Sequence, residues 1–389
     1  MTIGYHRPSK ASVSLDAIIH NYFAIKKHIG NKAVMAVVKA DGYGLGAVKI
    51  ADALQSRGAD GFAVAVADEA LELRDAGIIA PIMILGLTDP DDAWLLANLE
   101  IGVTVSSLDY LKYAKKHDKD FSRLHRLNVH LKVDSGMGRI GVRSFEEAQK
   151  IIDYIAKHPK KFKLASVFTH YATADSFTDH GKDKVQAQSD FFEDLLGQLD
   201  YSALGYTPLF HQSNSALSLW YPEKTLDAAR LGLGLYGSIP SMEDVASPVD
   251  FKQALTLETE IIYVKQMHAG DTISYGAEYV AGADEWVATL PIGYADGWQR
   301  SYLGLDAIVD GERCPSVGRI CMDQMIIRLP HEMPVGAKVT LIGTNGGQTV
   351  DVVDVASHAG TIAHEVLTNL GQRLPREYTS NKKKKKKMK

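Results

Sequence analysis

The sequence predicts an α/β protein: an N-terminal (β/α)8 TIM-type barrel followed by a smaller, mostly antiparallel β domain. Three observations carry that expectation. Over the first ~235 residues, short β-branched runs alternate with amphipathic helical stretches, the pattern of a parallel sheet. The runs number eight, which is the count of a closed barrel. After SIPSMEDVASPVD (238–250) the alternation stops, and β-rich segments follow one another across turn residues. An open doubly wound sheet is the alternative that alternation alone leaves standing.

Taken in order, the strand expectations are 33–38 (AVMAVV), 61–65, 82–85, 103–106, 128–133 (NVHLKV), 165–169, 208–211 and 227–231. Helical periodicity near 3.6 residues marks 47–56, 68–76, 144–158 and 184–199 between them. The eighth repeat is weak, since 235–237 runs straight into the Pro-containing stretch. Beyond it lie LTLETEIIYVKQM, EWVATLPIGYA, RCPSVGRICMDQMIIRL and KVTLIG, with one helical stretch at 355–369. The expected division is therefore a barrel over 1–248, a β domain over 249–381 and a Lys-rich, disordered tail over 382–389.

Composition excludes several classes. Hydrophobic residues are 46% and charged residues 23%, the proportions of a folded globular chain. The longest strongly apolar stretch, 78–87, is half the ~20 residues of a membrane span. The opening MTIGYHRPSK has no basic-then-apolar run of a secretory signal. With only Cys314 and Cys321 there is no disulfide framework and no zinc cluster, so a reduced, cytoplasmic setting and no metal are expected. The net charge of −4 includes the seven lysines of the last eight positions, so the body stands at −11, which argues against a nucleic-acid partner.

Active sites of such barrels form where the C-terminal ends of the strands meet the following loops. Lys39 ends the first apolar run, where desolvation lowers a lysine pKa and frees the amine to attack a carbonyl; by position alone it equally fits a lysine snorkelling at a strand end. After the fifth strand, Lys132 and Asp134 share a face, and Arg139 offers a planar fork for a carboxylate or phenolate. Thr169-His170-Tyr171 follows the sixth strand, Ser213-Asn214-Ser215 the seventh, and Arg230-Leu231-Gly232-Leu233-Gly234 the eighth. The last two loops occupy the recurrent phosphate site of these barrels. Singly, Ser215 reads as a helix cap and Arg230 as an ion-pair partner. Together, a Schiff-base lysine, a phosphate nest and two arginines on one rim point to pyridoxal phosphate (PLP).

These residues carry a resemblance to a known family. VVKADGYG (37–44), KVDSGMGRIGV (132–142), FTHYATAD (168–175), HQSNSA (211–216), RLGLGLYG (230–237), ISYGAEY (273–279), LPIGYADGW (290–298) and VGRICMDQ (317–324) resemble, in order, the alanine racemases among the fold-type III PLP enzymes. The resemblance implies an isomerase that interconverts L- and D-alanine through a PLP aldimine and supplies D-alanine for cell-wall peptidoglycan. It implies that Lys39 holds PLP and acts as the acid–base group on one face of the substrate, with Tyr275 on the other. Tyr43, Ser215, Gly232 and Leu233 would bind the phosphate, His170 would lie against the ring, and Arg230 would face the pyridine nitrogen. Arg139 and the Met322 backbone would meet substrate, and Lys132 matches a position that is often carboxylated. Tyr275 and Met322 would come from the other subunit of a homodimer.

The sequence departs from the family at Gly42, Leu45 and Leu231, and most notably at His364, where TIAHEV stands for the usual TINYEV. His364 and Tyr294 are therefore expected at an entry gate or against the phosphate. A broader or serine-type racemase, a decarboxylase and a non-catalytic PLP carrier are the alternatives within the same barrel class. Arg230 speaks against the decarboxylase, which usually sets a carboxylate at the pyridine nitrogen. The second domain speaks against the carrier, which ends after the barrel. A PLP-independent Schiff-base aldolase is the rival outside it.

Overall fold

A computed structural model describes residues 2–117, 125–241 and 245–380. The tail expected over 382–389 lies outside the described residues. The first strand, β1 (Lys10–Ser14), and the helix Leu15–His28 precede the barrel. The barrel strands are β2 (Ala33–Val37), β3 (Gly61–Val64), β4 (Ile82–Leu87), β5 (Ile101–Val105), β6 (Leu127–Lys132), β7 (Phe162–Phe168), β8 (Leu209–His211) and β9 (Ala228–Leu231). All pair in parallel, β2 to β8 each with the next in the chain, and β9 pairs with β2. The seam between β8 and β9 is held by the Ser213–Ala229 bridge and by Arg230 N donating to Ser213 O at 2.9 Å.

Near-continuous apolar runs form these strands because both faces are covered: the helices pack outside and side chains fill the inside. Every residue of β5 is buried. Several outer helices start on polar caps, as where Ser144 Oγ accepts from Glu147 N at 3.2 Å. After β9 the eighth helix is reduced to a single 3-10 stretch, Leu233–Tyr236. It ends at Gly237 (φ 89°), where a Cβ would stand 2.0 Å from Lys252 O; only glycine lets the chain cross there.

The second domain is built on a mixed sheet. Its strands, from one edge, are Glu312–Pro315, Asp306–Val309, Lys338–Asn345, Leu255–Glu260, β1 and Arg376–Thr379. Chain order grouped residues 10–14 with the barrel, whereas β1 lies in this sheet, antiparallel to Leu255–Glu260 and parallel to Arg376–Thr379. A three-stranded antiparallel sheet (Tyr263–Met267, Glu285–Leu290, Met325–Leu329) lies beside it. The expected helix 355–369 is two helices, Val352–Ala359 and Ala363–Thr368, broken at Gly360 (φ 67°). One contiguous apolar core spans barrel and second domain, from Ala11 to Leu374.

A buried ion cluster staples remote segments together. The Asp296 carboxylate, with no exposed side-chain surface, accepts from Arg7, from Arg373 Nε at 2.7 Å and from Gly293 N at 3.1 Å. Arg373 also reaches Asp323 Oδ1 at 2.6 Å. Burial acts to raise the Asp296 pKa, but the two arginines and the Gly293 N–H outweigh it and hold it below the ordinary value. Its stabilisation is then complete above the usual aspartate range and is lost as pH falls through the depressed folded value. Asp296→Ala leaves Arg7 without a carboxylate and Arg373 with Asp323 alone, and is expected to cost roughly 3–5 kcal/mol. Urea titration at neutral pH checks this, and an unchanged midpoint would contradict it.

Candidate active site

A cavity of about 630 Å³ opens at the C-terminal end of the barrel strands. Lys39 enters it directly after β2, and the backbone that follows is unusual. Ala40, Asp41, Gly42, Tyr43 and Gly44 all have positive φ, between 50° and 77°, a full left-handed turn. Three of the five carry side chains, so at ~1–2 kcal/mol each the turn costs roughly 3–6 kcal/mol. The surroundings over-determine it. Asp41 Oδ1 accepts from Ala47 N at 2.9 Å, Glu69 Oε1 from Ala40 N at 2.6 Å, and Arg376 Nε donates to Gly44 O at 3.0 Å. Strain of this kind, held by contacts from three directions, marks a functional turn. It brings Lys39 and Tyr43, four residues apart, to the lining of the same cavity.

On the Tyr43 side lies an anion cradle. Ser215 Oγ accepts from Gly232 N at 2.9 Å and from Gly234 N at 3.4 Å. A Cβ on Gly232 would stand 2.7 Å from the Tyr43 hydroxyl and 3.8 Å from Ser215 Oγ, so hydroxyls and backbone converge on a space only glycine leaves open. Asn214, not Ser215, caps the helix, accepting from Leu217 N at 2.9 Å. Leu233 completes this wall. His364 enters from the second domain, its ring 5.8 Å from that of Tyr43, and burial followed by the charge of Lys39 keeps its pKa low.

The rest of the lining is rich in cations. Arg230 is 3% exposed and makes no bond to a carboxylate among the described residues. Its Nη1 donates to His211 Nδ1 at 2.7 Å and its Nη2 to Thr169 O at 2.7 Å, which leaves Nε–H without an acceptor there. Burial pulls this guanidinium down to about 9. His170 Nδ1 lies 3.3 Å from Arg230 Nη2, and burial, then Arg230, keep the imidazole neutral. Lys132 is 4% exposed, donates to Val133 O at 2.8 Å and sits 5.3 Å over the Phe168 ring. Burial and then Arg230 push it down to about 7. Arg139 stands exposed at the rim. Lys39, Lys132, Arg139 and Arg230 thus face one cavity, which calls for an anionic occupant.

The structure therefore brings together Lys39, Tyr43, Lys132, Arg139, His170, Ser215, Arg230, Gly232, Leu233 and His364. It does not bring Tyr275, Tyr294 or Met322 to this cavity. They stand 72%, 43% and 53% exposed on the second domain. They form one linked patch there: Tyr294 N donates to Cys321 O at 3.1 Å, Ala295 N to Met322 O at 3.0 Å, and Ser274 Oγ to Arg319 O at 2.6 Å. Sequence reasoning missed Glu69, Phe168 and Arg376. Glu69 had a signal, since it lies at the third position of a helix that follows a strand, where a carboxylate reaches back to free backbone N–H groups. Arg376 had none, because its partner lies some 330 positions away.

Fold and site define a class: a barrel enzyme whose cavity holds a desolvated lysine and an anion cradle, with a second domain that shares its apolar core. Residues 13–240 match the family described as alanine racemase, N-terminal domain, and residues 254–378 the one described as alanine racemase, C-terminal domain. The chain belongs to the alanine racemase family. The alanine racemase of Streptococcus equi subsp. equi (strain 4047) is 48% identical, over 97% of this chain and all of the relative. The crystal structure of alanine racemase from E. faecalis superposes with a TM-score of 0.90 at 40% identity, covering 97% of this chain and 100% of that one. A histidine racemase from Leuconostoc mesenteroides subsp. sake NBRC 102480 also superposes, with TM-score 0.89 at 34% identity, covering 97% and 100%. The protein is accordingly a racemase, an isomerase of amino acids, in a family that uses PLP.

Proposed function

We propose that the protein interconverts L- and D-alanine with PLP in the cavity described, as a cytoplasmic homodimer with shared sites, and so supplies D-alanine for peptidoglycan. The observation that carries this reading is the left-handed turn, which brings an amine and a phosphate cradle to one cavity. The residues fit the cofactor. Lys39 would hold it, Tyr43, Ser215, Gly232 and Leu233 would take its phosphate, and His170 would lie against its ring. Arg230 has one uncommitted donor, Nε–H, to offer the ring nitrogen. PLP, when bound, withdraws electrons from the substrate and so makes its Cα–H bond acidic enough to break near neutrality.

The chain's own groups do the rest. Arg139 pairs with the substrate carboxylate and orients Cα. Lys39 takes or returns the Cα proton on one face, with a pKa lowered by burial and then by Arg139 so that the free amine is available. Tyr275 of a second copy serves the other face, beside the Met322 backbone, and its exposure on the single chain supports that reading. The barrel over 1–248 would hold the cofactor, and 249–381 would supply these two to its neighbour. Lys132, a buried amine pushed down to about 7, would be present in part as the neutral amine that adds to carbon dioxide with loss of a proton, and would then become an anionic partner for Arg139. A cytoplasmic setting is supported by two free cysteines and by the lack, among the described residues, of any helix long and apolar enough to cross a membrane.

A broader racemase is the second reading, favoured by His364: an imidazole on the cavity wall is shorter than a phenol. Deuterium incorporation at Cα in heavy water, read with L- and D-alanine, L-serine, L-histidine and L-lysine, tests both. Alanine is expected to exchange and invert fastest. Equal or faster turnover of histidine or serine would replace alanine as the substrate.

A further inference from the structure

Behind the cavity, a line of hydrogen bonds crosses the barrel interior through four adjacent strands. Arg230 on β9 donates from Nη1 to His211 Nδ1 on β8 at 2.7 Å. His211 Nε2 lies 2.9 Å from Ser166 Oγ on β7, and Ser166 Oγ lies 2.6 Å from His130 Nδ1 on β6. The line ends against β5, where a Cβ on Gly102 would stand 2.3 Å from His130 Nε2. None of this touches the cavity except through Arg230.

The direction of every link follows from the first. A guanidinium has donors only. His211 Nδ1 must therefore accept, and a neutral His211 carries its proton on Nε2. That N–H can only donate to Ser166 Oγ, so the single Ser166 O–H is left to donate to His130 Nδ1. His130 in turn must be a neutral ring protonated on Nε2. Burial agrees, pushing His130 down to about 4 and holding His211 well below the usual histidine range. With Thr169 O as the closest acceptor of Nη2, Arg230 is a cation held by neutral acceptors alone. Its placement thus depends on acceptor geometry, not on the pull of a counter-charge.

From this we infer that Ser166 and His130 are positioning residues for the racemase reaction: they hold the His211 ring, in the tautomer that Arg230 requires, with its Nδ1 lone pair facing Arg230, and so fix the one free Arg230 donor toward the cofactor's ring nitrogen. The inference rests on the proposed function for its consequence. Without the Ser166 hydroxyl, the His211 Nε2–H is a buried donor with no acceptor, and the ring turns to find one. Its Nδ1 then no longer holds the guanidinium at 2.7 Å, and Arg230 moves. A displaced Arg230 leaves the ring nitrogen open to a proton from elsewhere, which strengthens electron withdrawal and favours return of the Cα proton to the cofactor in place of the substrate. The amino group then stays on the cofactor and pyruvate leaves. One water would supply the pyruvate carbonyl oxygen, the cofactor carbon would take the two electrons that Cα gives up, and Lys39 would be left as a free amine, so no external oxidant is needed.

Two measurements test the relay. Neutron diffraction from deuterated crystals of the wild-type holoenzyme reads the tautomers without reference to turnover. Deuterium is expected on His211 Nε2 and on Ser166 Oγ directed to His130; deuterium on His211 Nδ1 or His130 Nδ1 overturns the relay. The second compares Ser166→Ala with Ser166→Thr, which restores the hydroxyl. Pyruvate formed per racemisation turnover is expected to rise about tenfold in the alanine variant and to return toward wild type in the threonine variant. A slower alanine variant with an unchanged pyruvate ratio reduces Ser166 to packing and overturns the relay. Failure of the wild type to racemise would instead sink the proposed function, while the neutron map would still judge the tautomers.

Discussion

Replacing Lys39 by alanine is expected to lower racemisation at least ~10⁴-fold, because it removes both the group that holds the cofactor and the acid–base group on one face of Cα. Deuterium exchange at Cα should fall with it, and borohydride should no longer fix a cofactor adduct to the chain. Residual activity within about tenfold of wild type would remove Lys39 from the mechanism. The same amine predicts a pH effect with a definite sign. Burial, then the charge of Arg139, lower its pKa against the opposing pull of Glu69. Arg139→Gln removes a repelling cation, so in the direction in which Lys39 takes the proton the acidic limb of the rate profile is expected to move to higher pH. A shift to lower pH would mean that another group is being titrated.

The second large effect concerns Tyr275. Tyr275→Phe is expected to lower racemisation by ~10²–10⁴ while leaving the other base intact. Because the equilibrium between enantiomers is symmetric, both directions must slow together, and rates alone do not separate the two bases. Exchange does. One enantiomer should still acquire solvent deuterium with retention through Lys39, and the other should not exchange. Exchange of both, or of neither, contradicts the assignment. Tyr275 is 72% exposed and outside the cavity of its own chain, so complementation is expected as well. Lys39→Ala and Tyr275→Phe subunits, each inactive alone, should regain about a quarter of wild-type activity when allowed to pair at random. Half the dimers would be hybrids, each with one complete site of two. No recovery would place the whole site within one chain.

Much of this site was legible because barrel geometry converts sequence position into spatial position. Residues that follow a strand collect at one rim, so Lys39, Arg139, His170, Ser215 and Arg230 could be grouped before any coordinate was known, and they do share one cavity. All eight barrel strands fall within three residues of the expected starts and ends. What stayed hidden depends on pairing over long separations or on backbone sign. β1 joins the second sheet because its partners lie at Leu255–Glu260 and Arg376–Thr379, which no local pattern announces. The left-handed turn is written in KADGYG only through two glycines; Ala40, Asp41 and Tyr43 take positive φ because Glu69, Ala47 and Arg376 hold them there. The inward line from Arg230 to His130 was equally silent, since alternation places those side chains inside the barrel without saying which atoms meet.

The placement of β1 has a consequence for how the chain is made. Ala11 leaves the ribosome early, yet one of its two neighbours, Arg376, follows ~365 residues later. At ~5–20 residues per second that is roughly twenty seconds to a minute of waiting. Through that interval the barrel strands can associate as they emerge, while the amino end has an open ladder and the Gly44 carbonyl lacks its Arg376 donor. Competence to bind the cofactor is therefore acquired only near the end of synthesis, and nascent chains stalled short of Thr379 should refuse it.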